Sequence, residues 1–190
     1  PCAGKSSLIS RFAELESISV VREAATQLWA LGWQQKGQEC GYSREWKIAF
    51  QVAVLEAQLT QEELATKKQS HHVICDRGIS DGPAYLHDVP AVDYDPQRFL
   101  ASNGDAPGQS HLIIPLTSLA LTQPDLYGNQ DNQFRTETLD DARQLDELIW
   151  KAWESTSIPQ IRIKTDKSLT AVFDDVLAAI KWAEELADIR

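Results

Sequence analysis

Gly4-Lys5-Ser6-Ser7 follows Pro1-Cys2-Ala3 at the start of the chain, and each residue type suits a different task in holding a polyphosphate. Gly4 can take a backbone conformation closed to other residues, so successive amides of the loop after Pro1 can point into one concavity. A helix starting there adds the positive end of its dipole. Lys5 is placed to reach the β and γ phosphates, and the Ser6 hydroxyl to hold a Mg²⁺ that bridges them. The pattern is the downstream end of G-x-x-x-x-G-K-[ST], whose first glycine would lie before Pro1. Leu8, Ile9, Phe12 and Leu15 follow at helical spacing, which is the helix side of the context the motif requires. A plain helix start capped by Ser6 or Ser7 would leave Lys5 without a task.

Acids and arginines further along have matching chemistry. Glu23 lies just beyond the apolar run Ile18-Ser19-Val20-Val21. There it can take a proton from a substrate hydroxyl, or serve a helix dipole from the first turn. Asp76 closes His72-Val73-Ile74-Cys75, as an acid supporting Mg²⁺ or its water shell would, with a helix cap as the alternative. Arg77 can take a phosphate bidentately or pair with a neighbouring carboxylate. Asp81 either holds substrate or caps a helix at Ser80. Arg135, in Phe134-Arg135-Thr136-Glu137, stands where a lid arginine closing over phosphates would. His71 and His72, adjacent in a strand start, point to opposite faces and make a poor shared metal site.

The elements that must position these residues are legible in outline. Ile18 to Val21 and His72 to Asp76 read as short strands, and Leu112 to Leu116 as a third, with Pro115 near its end where a missing N–H is tolerated. Ile158 to Ile163 reads as the last strand. Helices are expected from Glu23, from about Arg44 to Lys68, around Leu145, Leu148, Ile149 and Ala152, and from Ser168 to Ala187. A loop is expected from His87 to Ser110 and a second polar stretch from Gln123 to Thr138. The tryptophans, Trp29, Trp33, Trp46, Trp150, Trp153 and Trp182, fall at helical spacings and are expected in the core or between helices. Strands alternating with helices imply a parallel sheet with right-handed crossovers. The strand feeding the first loop belongs inside that sheet, so a short apolar strand is expected before Pro1.

Composition narrows the classes. The chain has 190 residues, 43% hydrophobic and 24% charged, which suits one soluble domain, residues 1–190, with no repeat or linker. No apolar run approaches the roughly 20 residues that span a bilayer. A formal charge of -10 argues against nucleic acid or anionic membranes as partners, yet a local positive loop still binds an anionic nucleotide. Cys2, Cys40 and Cys75 show no paired or metal-like spacing, and their odd count suits a reducing cytoplasm. No oligomeric state is legible.

Pro1 to Ser7, then Val20-Val21-Arg22-Glu23-Ala24-Ala25, then Val73-Ile74-Cys75-Asp76-Arg77-Gly78-Ile79-Ser80-Asp81 with Ala84-Tyr85-Leu86, resemble a family of small P-loop proteins. The family is AAA-ATPase-like and nucleoside/nucleotide-kinase-like, and the resemblance runs over essentially the whole chain. It implies a three-layer α/β P-loop NTPase sandwich with a parallel sheet of about five strands, the first before Pro1, and a lid at roughly residues 121–139. It implies ATP or GTP with Mg²⁺, and a small-molecule acceptor for the γ-phosphoryl group. Glu23 resembles the carboxylate that activates the substrate hydroxyl in deoxynucleoside kinases, and Asp76-Arg77 the acid-arginine pair of deoxynucleoside and thymidylate kinases. Arg77 and Arg135 would act catalytically with Glu23, Glu23 and Asp81 would contact the acceptor, and Ser6 and Asp76 would serve the metal. Kinase lids usually carry several arginines, whereas Arg135 stands alone between Leu121 and Thr138. A nucleotide-dependent regulatory switch is therefore the alternative. No [NT]-K-x-D motif reads a guanine base, and the choice between ATP and GTP stays open.

Overall fold

Ile18–Val21 (β1) and His72–Cys75 (β2) pair in parallel, with Ile18 opposite His72 and Val21 opposite Cys75. Their β-branched residues, Val20, Val21, Val73 and Ile74, suit a pleated surface. The computed structural model describes residues 4–33, 42–68, 70–87, 112–127, 138–154, 156 and 158–188. The chain divides into two compact units, Pro1–Leu8 with Asp105–Arg190, and Ile9–Gly104.

The unit Ile9–Gly104 is built on β1 and β2. The ladder starts one residue before β1 and ends one residue after β2. The His72 N–H donates to Ser17 O at 3.2 Å and the Asp76 N–H to Val21 O at 2.9 Å. Asp76 is thereby pinned to the exit of β1. Helix α2 (Ala24–Ala30) follows β1 at once, with Glu23 in the N-cap position. Helix α3 (Arg44–Thr66) starts where Ser43 Oγ accepts the Trp46 N–H at 3.2 Å. It ends two residues short of the expected Lys68. The rings of Trp29, Tyr42, Trp46 and Phe50 meet between α2 and α3, with Tyr42 and Trp46 stacked at 4.0 Å. Trp29 and Trp46 thus pack between helices as their spacing predicts, and Trp33, though partly exposed, meets Phe50 with ring centroids 6.3 Å apart. After β2 the chain enters a 3-10 helix, Ile79–Leu86, which contains Pro83 and buries Ser80, Asp81, Gly82, Ala84 and Leu86.

In the other unit the expected third and last strands do lie side by side in parallel, joined by isolated bridges at Ile113 with Gln160 and at Leu116 with Ile163. The Ile113 N–H donates to Pro159 O, Ile161 N–H to Ile113 O, Ile163 N–H to Pro115 O and Thr117 N–H to Ile163 O. The bond missing from that series is the one Pro115 would donate, because proline has no N–H. Pro115 therefore sits within the pairing and interrupts it, rather than at its end as expected. Helix α4 (Leu119–Thr122), a 3-10 turn (Pro124–Leu126), α5 (Leu139–Glu154) and α6 (Leu169–Asp188) complete the described part. Ala142, Leu145 and Trp153 from α5 and Val172, Phe173, Val176 and Ala179 from α6 are buried. Trp182 departs from its expected packing role, with 44% of its surface exposed. Among the described residues no helix is long and apolar enough to cross a membrane.

Candidate functional site

The first helix, α1 (Lys5–Phe12), begins directly after Gly4. Gly4 has φ +71°, in the left-handed region that disfavours residues with a Cβ. A Cβ built there would meet Leu169 Cδ1 at 3.9 Å, an ordinary contact. Backbone conformation, not space, therefore selects glycine. The Leu8 N–H closes the turn onto Gly4 O at 3.1 Å, and Leu8, Ile9 and Phe12 are buried. That anchoring leaves Ser6 and Ser7 exposed on the first turn and Lys5 half-buried. Pro1, Cys2 and Ala3 lie outside the described residues, as do Arg135 and the rest of 128–137 within the range 121–139 expected as a lid.

Within the unit Ile9–Gly104, four of the charged residues singled out by the sequence come together at the carboxyl ends of β1 and β2. Arg77 is the centre. Its Nε donates to Glu23 Oε1 at 3.1 Å, and its Nη1 lies 3.5 Å from Asp81 Oδ2. Its Cζ lies 5.6 Å from the centre of the Tyr85 ring, within cation–π range. Burial works against the Arg77 charge, but attraction from Tyr85, Glu23, Asp81 and Asp76 outweighs it and holds the pKa well above the ordinary arginine value. The guanidinium is a fixed cation in a pocket of acids.

The sequence left two readings of Glu23, a proton acceptor and a helix-dipole partner. Glu23 occupies the N-cap position of α2 but makes no side-chain bond to the helix backbone. Its second oxygen, Oε2, instead accepts the Thr26 hydroxyl at 2.7 Å. Asp81 is no cap for a helix at Ser80: it lies buried inside the 3-10 helix, its own N–H donating to Gly78 O at 3.1 Å and its carboxylate facing Arg77.

Gln58 was not legible as a site residue, yet it fixes the Arg77 main chain. It is buried on α3, and its Nε2 donates to Arg77 O at 2.8 Å and to Glu62 Oε1 at 2.7 Å. The available signal is a polar residue at the helical spacing of Leu55 and Ala65, in line with the buried residues of the helix. Cys75, next to Asp76, is a half-buried free thiol. Burial, then the charge and hydrogen bond of Glu62, push its pKa far up, so it stays protonated and is no nucleophile.

A ring of oxygen donors around one arginine can orient a hydroxyl-bearing acceptor and receive its proton. The described residues hold no group of three His, Cys, Asp or Glu side chains able to bind a metal. A nucleotide-bound Mg²⁺ does not need one, since it takes most of its ligands from phosphate and water. The Ser6 hydroxyl and Asp76 carboxylate are hard oxygen donors of the kind that suits that ion.

A family model described as AAA domain matches residues 1–168. No curated protein sequence is significantly similar to the chain. Among solved structures, deoxyadenosine kinase from M. mycoides with dCMP and a flexible dCDP bound is similar with a TM-score of 0.57, at 13% identity and with 94% of each chain covered. The dCTP-bound form of that kinase gives a TM-score of 0.50 at 12% identity, again over 94% of each chain. These likenesses show the fold, that of a P-loop nucleoside kinase.

Proposed function

The chain belongs to the AAA domain family, and we propose from that premise that it is a P-loop phosphotransferase moving the γ-phosphoryl group of ATP or GTP to a small-molecule acceptor. The observation that supports the reading best is the Glu23–Arg77 ion pair, 3.1 Å long, at the ends of two parallel strands. In such folds ligands gather at those ends. The proposal includes the parallel sheet of about five strands, the lid, a single domain and a cytoplasmic location, the last argued from the odd cysteine count.

The chemistry follows from the residue types. Lys5 and the amide N–H groups of Cys2 to Ser7, in the loop that Pro1 opens, bind the phosphates and spread the charge that grows as the γ-phosphoryl group departs. Ser6 and Asp76 would hold Mg²⁺, which would supply charge neutralisation to the nucleotide's phosphates. Glu23 Oε1 or Oε2 takes the acceptor's hydroxyl proton while the acceptor oxygen forms its bond to phosphorus, and the bond to the bridging oxygen of the nucleoside diphosphate breaks. Arg77 and Arg135 clamp phosphate oxygens. The 3.5 Å contact of Arg77 to Asp81 is the weaker of its two and the one a phosphate would replace. Asp81 then turns to the acceptor.

The test is product formation from a panel of nucleosides and small alcohols with Mg-ATP or Mg-GTP. Deoxynucleosides come first, because the fold neighbours are deoxyadenosine kinases. An acceptor that raises turnover, with Glu23→Gln abolishing the gain, is expected. If no acceptor raises turnover and Glu23→Gln leaves nucleotide handling unchanged, the kinase reading fails. A nucleotide-dependent switch is then the reading that remains, supported by the solitary Arg135 between Leu121 and Thr138.

A further inference from the structure

Threonines in helices ordinarily turn their hydroxyl back onto the main chain, donating to the carbonyl three or four residues earlier. Thr60, Thr66 and Thr122 do so, on Glu56 O at 2.9 Å, Glu63 O at 2.8 Å and Ser118 O at 3.3 Å. Thr26 in α2 departs from that habit. Its Oγ1 donates at 2.7 Å to Glu23 Oε2, a side chain three residues back. The pair is a capping box reversed, with the carboxylate in the N-cap position and the hydroxyl three residues on. Glu23 makes no side-chain bond to the α2 backbone in spite of that position. The Thr26 hydroxyl stands in for the helix amide. The other carboxylate oxygen, Oε1, accepts Arg77 Nε at 3.1 Å. One donor on each oxygen fixes the plane of the carboxylate, which a single donor would leave free to turn.

We infer that Thr26 is a positioning residue for the phosphoryl transfer proposed above, and that it makes Oε2 of Glu23 the oxygen that takes the acceptor's proton. The inference rests on that reading of the site. The two donors differ in kind. An arginine N–H can only donate, and a protonated oxygen accepts poorly, so a proton on Oε1 would spoil the bond to Arg77. A hydroxyl both donates and accepts. Thr26 donates to Oε2 while Glu23 is a carboxylate, and turns to accept from Oε2 once that oxygen carries the proton. The contact therefore survives the transfer. In that step the acceptor's O–H bond breaks, its electron pair stays on the acceptor oxygen, and that oxygen forms the new bond to phosphorus. The proton ends on Oε2, and the bridging P–O bond breaks with its electrons leaving on the nucleoside diphosphate. Thr26 is exposed, so water collects the proton through the same hydroxyl and restores the carboxylate.

Thr26→Val removes the hydroxyl and keeps the shape, while Thr26→Ser keeps the hydroxyl. With an acceptor that supports turnover in the parent, Thr26→Val is expected to lower kcat about tenfold, part of the roughly 10²–10⁴ that a general base supplies. The acceptor KM should stay within about twofold, and Thr26→Ser should restore kcat to about the parent's value. Carbon-13 NMR of protein labelled at the glutamate carboxyls, with Glu23→Gln to assign the signal, reads the bond without turnover. Loss of one donor to the ionised form should raise the Glu23 titration midpoint by about half to one pH unit in Thr26→Val and leave it in place in Thr26→Ser. Arg77, Asp76 and Asp81, the other charged groups at these strand ends, are the same in every variant. Unchanged kcat in Thr26→Val, equal losses in the Val and Ser variants, or a midpoint that Thr26→Val leaves in place overturns the role of Thr26 alone. A parent with no acceptor-dependent turnover overturns the phosphotransferase reading and this role with it. The titration shift then persists, which tells that failure from a failure of the Thr26 bond.

Discussion

Arg77 Nε and Glu23 Oε1 meet at 3.1 Å across 54 residues of sequence, so one ion pair ties the exit of β2 to the exit of β1. Neither residue is deeply buried: their side chains keep 16% and 26% of their surface exposed. That exposure reduces what the pair adds to stability, and leaves both groups within reach of a ligand.

Arg77→Met tests how much the pair contributes. It leaves Glu23 and Asp81 without their shared cation, and the uncompensated acids outweigh the relief of Arg77's own desolvation. A loss of roughly 1–3 kcal/mol is expected, below the figure for a fully buried pair because of the residual exposure. Glu23→Gln should cost less, since Arg77 keeps Asp81. Urea unfolding of both single variants and the double variant measures the coupling, and strict additivity would show that the two groups do not interact. Because the pKa of Arg77 is raised, its contribution is complete at every pH below the unfolded arginine value and gives no slope near neutrality.

On the proposed function, Lys5→Ala should weaken binding of a fluorescent ATP or GTP analogue by about 10–100-fold, the loss of charge-assisted bonds worth ~1.5–3 kcal/mol. Retained affinity would remove the basis of both nucleotide readings. Gly4→Ala separates backbone from space. A Cβ has room, 3.9 Å from Leu169, but φ +71° costs a residue with a side chain about 1–2 kcal/mol. Gly4→Asn should therefore be milder than Gly4→Ala.

The strands of the candidate site were legible residue by residue because short β-branched runs ending in Glu23 or Asp76 have few other solutions. The grouping of Glu23, Asp76, Arg77 and Asp81 followed once those runs were taken as parallel neighbours. The role of Gln58 is not legible in the sequence because it depends on a distance between elements: Gln58 reaches Arg77 O over 19 residues. Pro115 lies inside the pairing and not at its end for a related reason. Whether a missing N–H falls inside a ladder depends on the register of the partner segment, which periodicity does not encode. The exposure of Trp182 likewise depends on which face of α6 has a neighbour, not on the helical spacing that placed it.

Cys75 supplies a pH test. Its folded pKa is raised, first by burial and then by Glu62, so the native state keeps a proton that the unfolded state releases near pH 8.5 or so, about the ordinary thiol value. The unfolded state binds fewer protons above that point, and stability must fall as pH rises. The contribution is complete below the unfolded value and is lost as the pH climbs toward the raised folded one. Relative to Cys75→Ala, the parent should lose up to about 1.4 kcal/mol per pH unit between roughly pH 9 and 10, seen in urea midpoints. Iodoacetamide should label the native Cys75 slowly across that range. Parallel stability curves for the two proteins would contradict the raised pKa.

Asp146 joins three elements of the other unit through two oxygens. Oδ1 accepts the N–H of Ser118, which is fully buried at 0% exposure, at 3.0 Å. Oδ2 accepts Arg162 Nη2 at 2.8 Å, and the Arg162 guanidinium lies 4.8 Å from the Trp150 ring. The two bonds differ in worth. The Arg162 side chain is 37% exposed, so solvent screens that pair to about 0–1 kcal/mol. Removing the acceptor for a buried N–H costs roughly 1–3 kcal/mol. Asp146→Ala should thus destabilise more than Arg162→Ala, and Asp146→Asn, which keeps an acceptor for Ser118, should fall between them. Thermal unfolding of the three variants decides it: equal losses in Asp146→Ala and Arg162→Ala would place the energy in the ion pair instead of the cap.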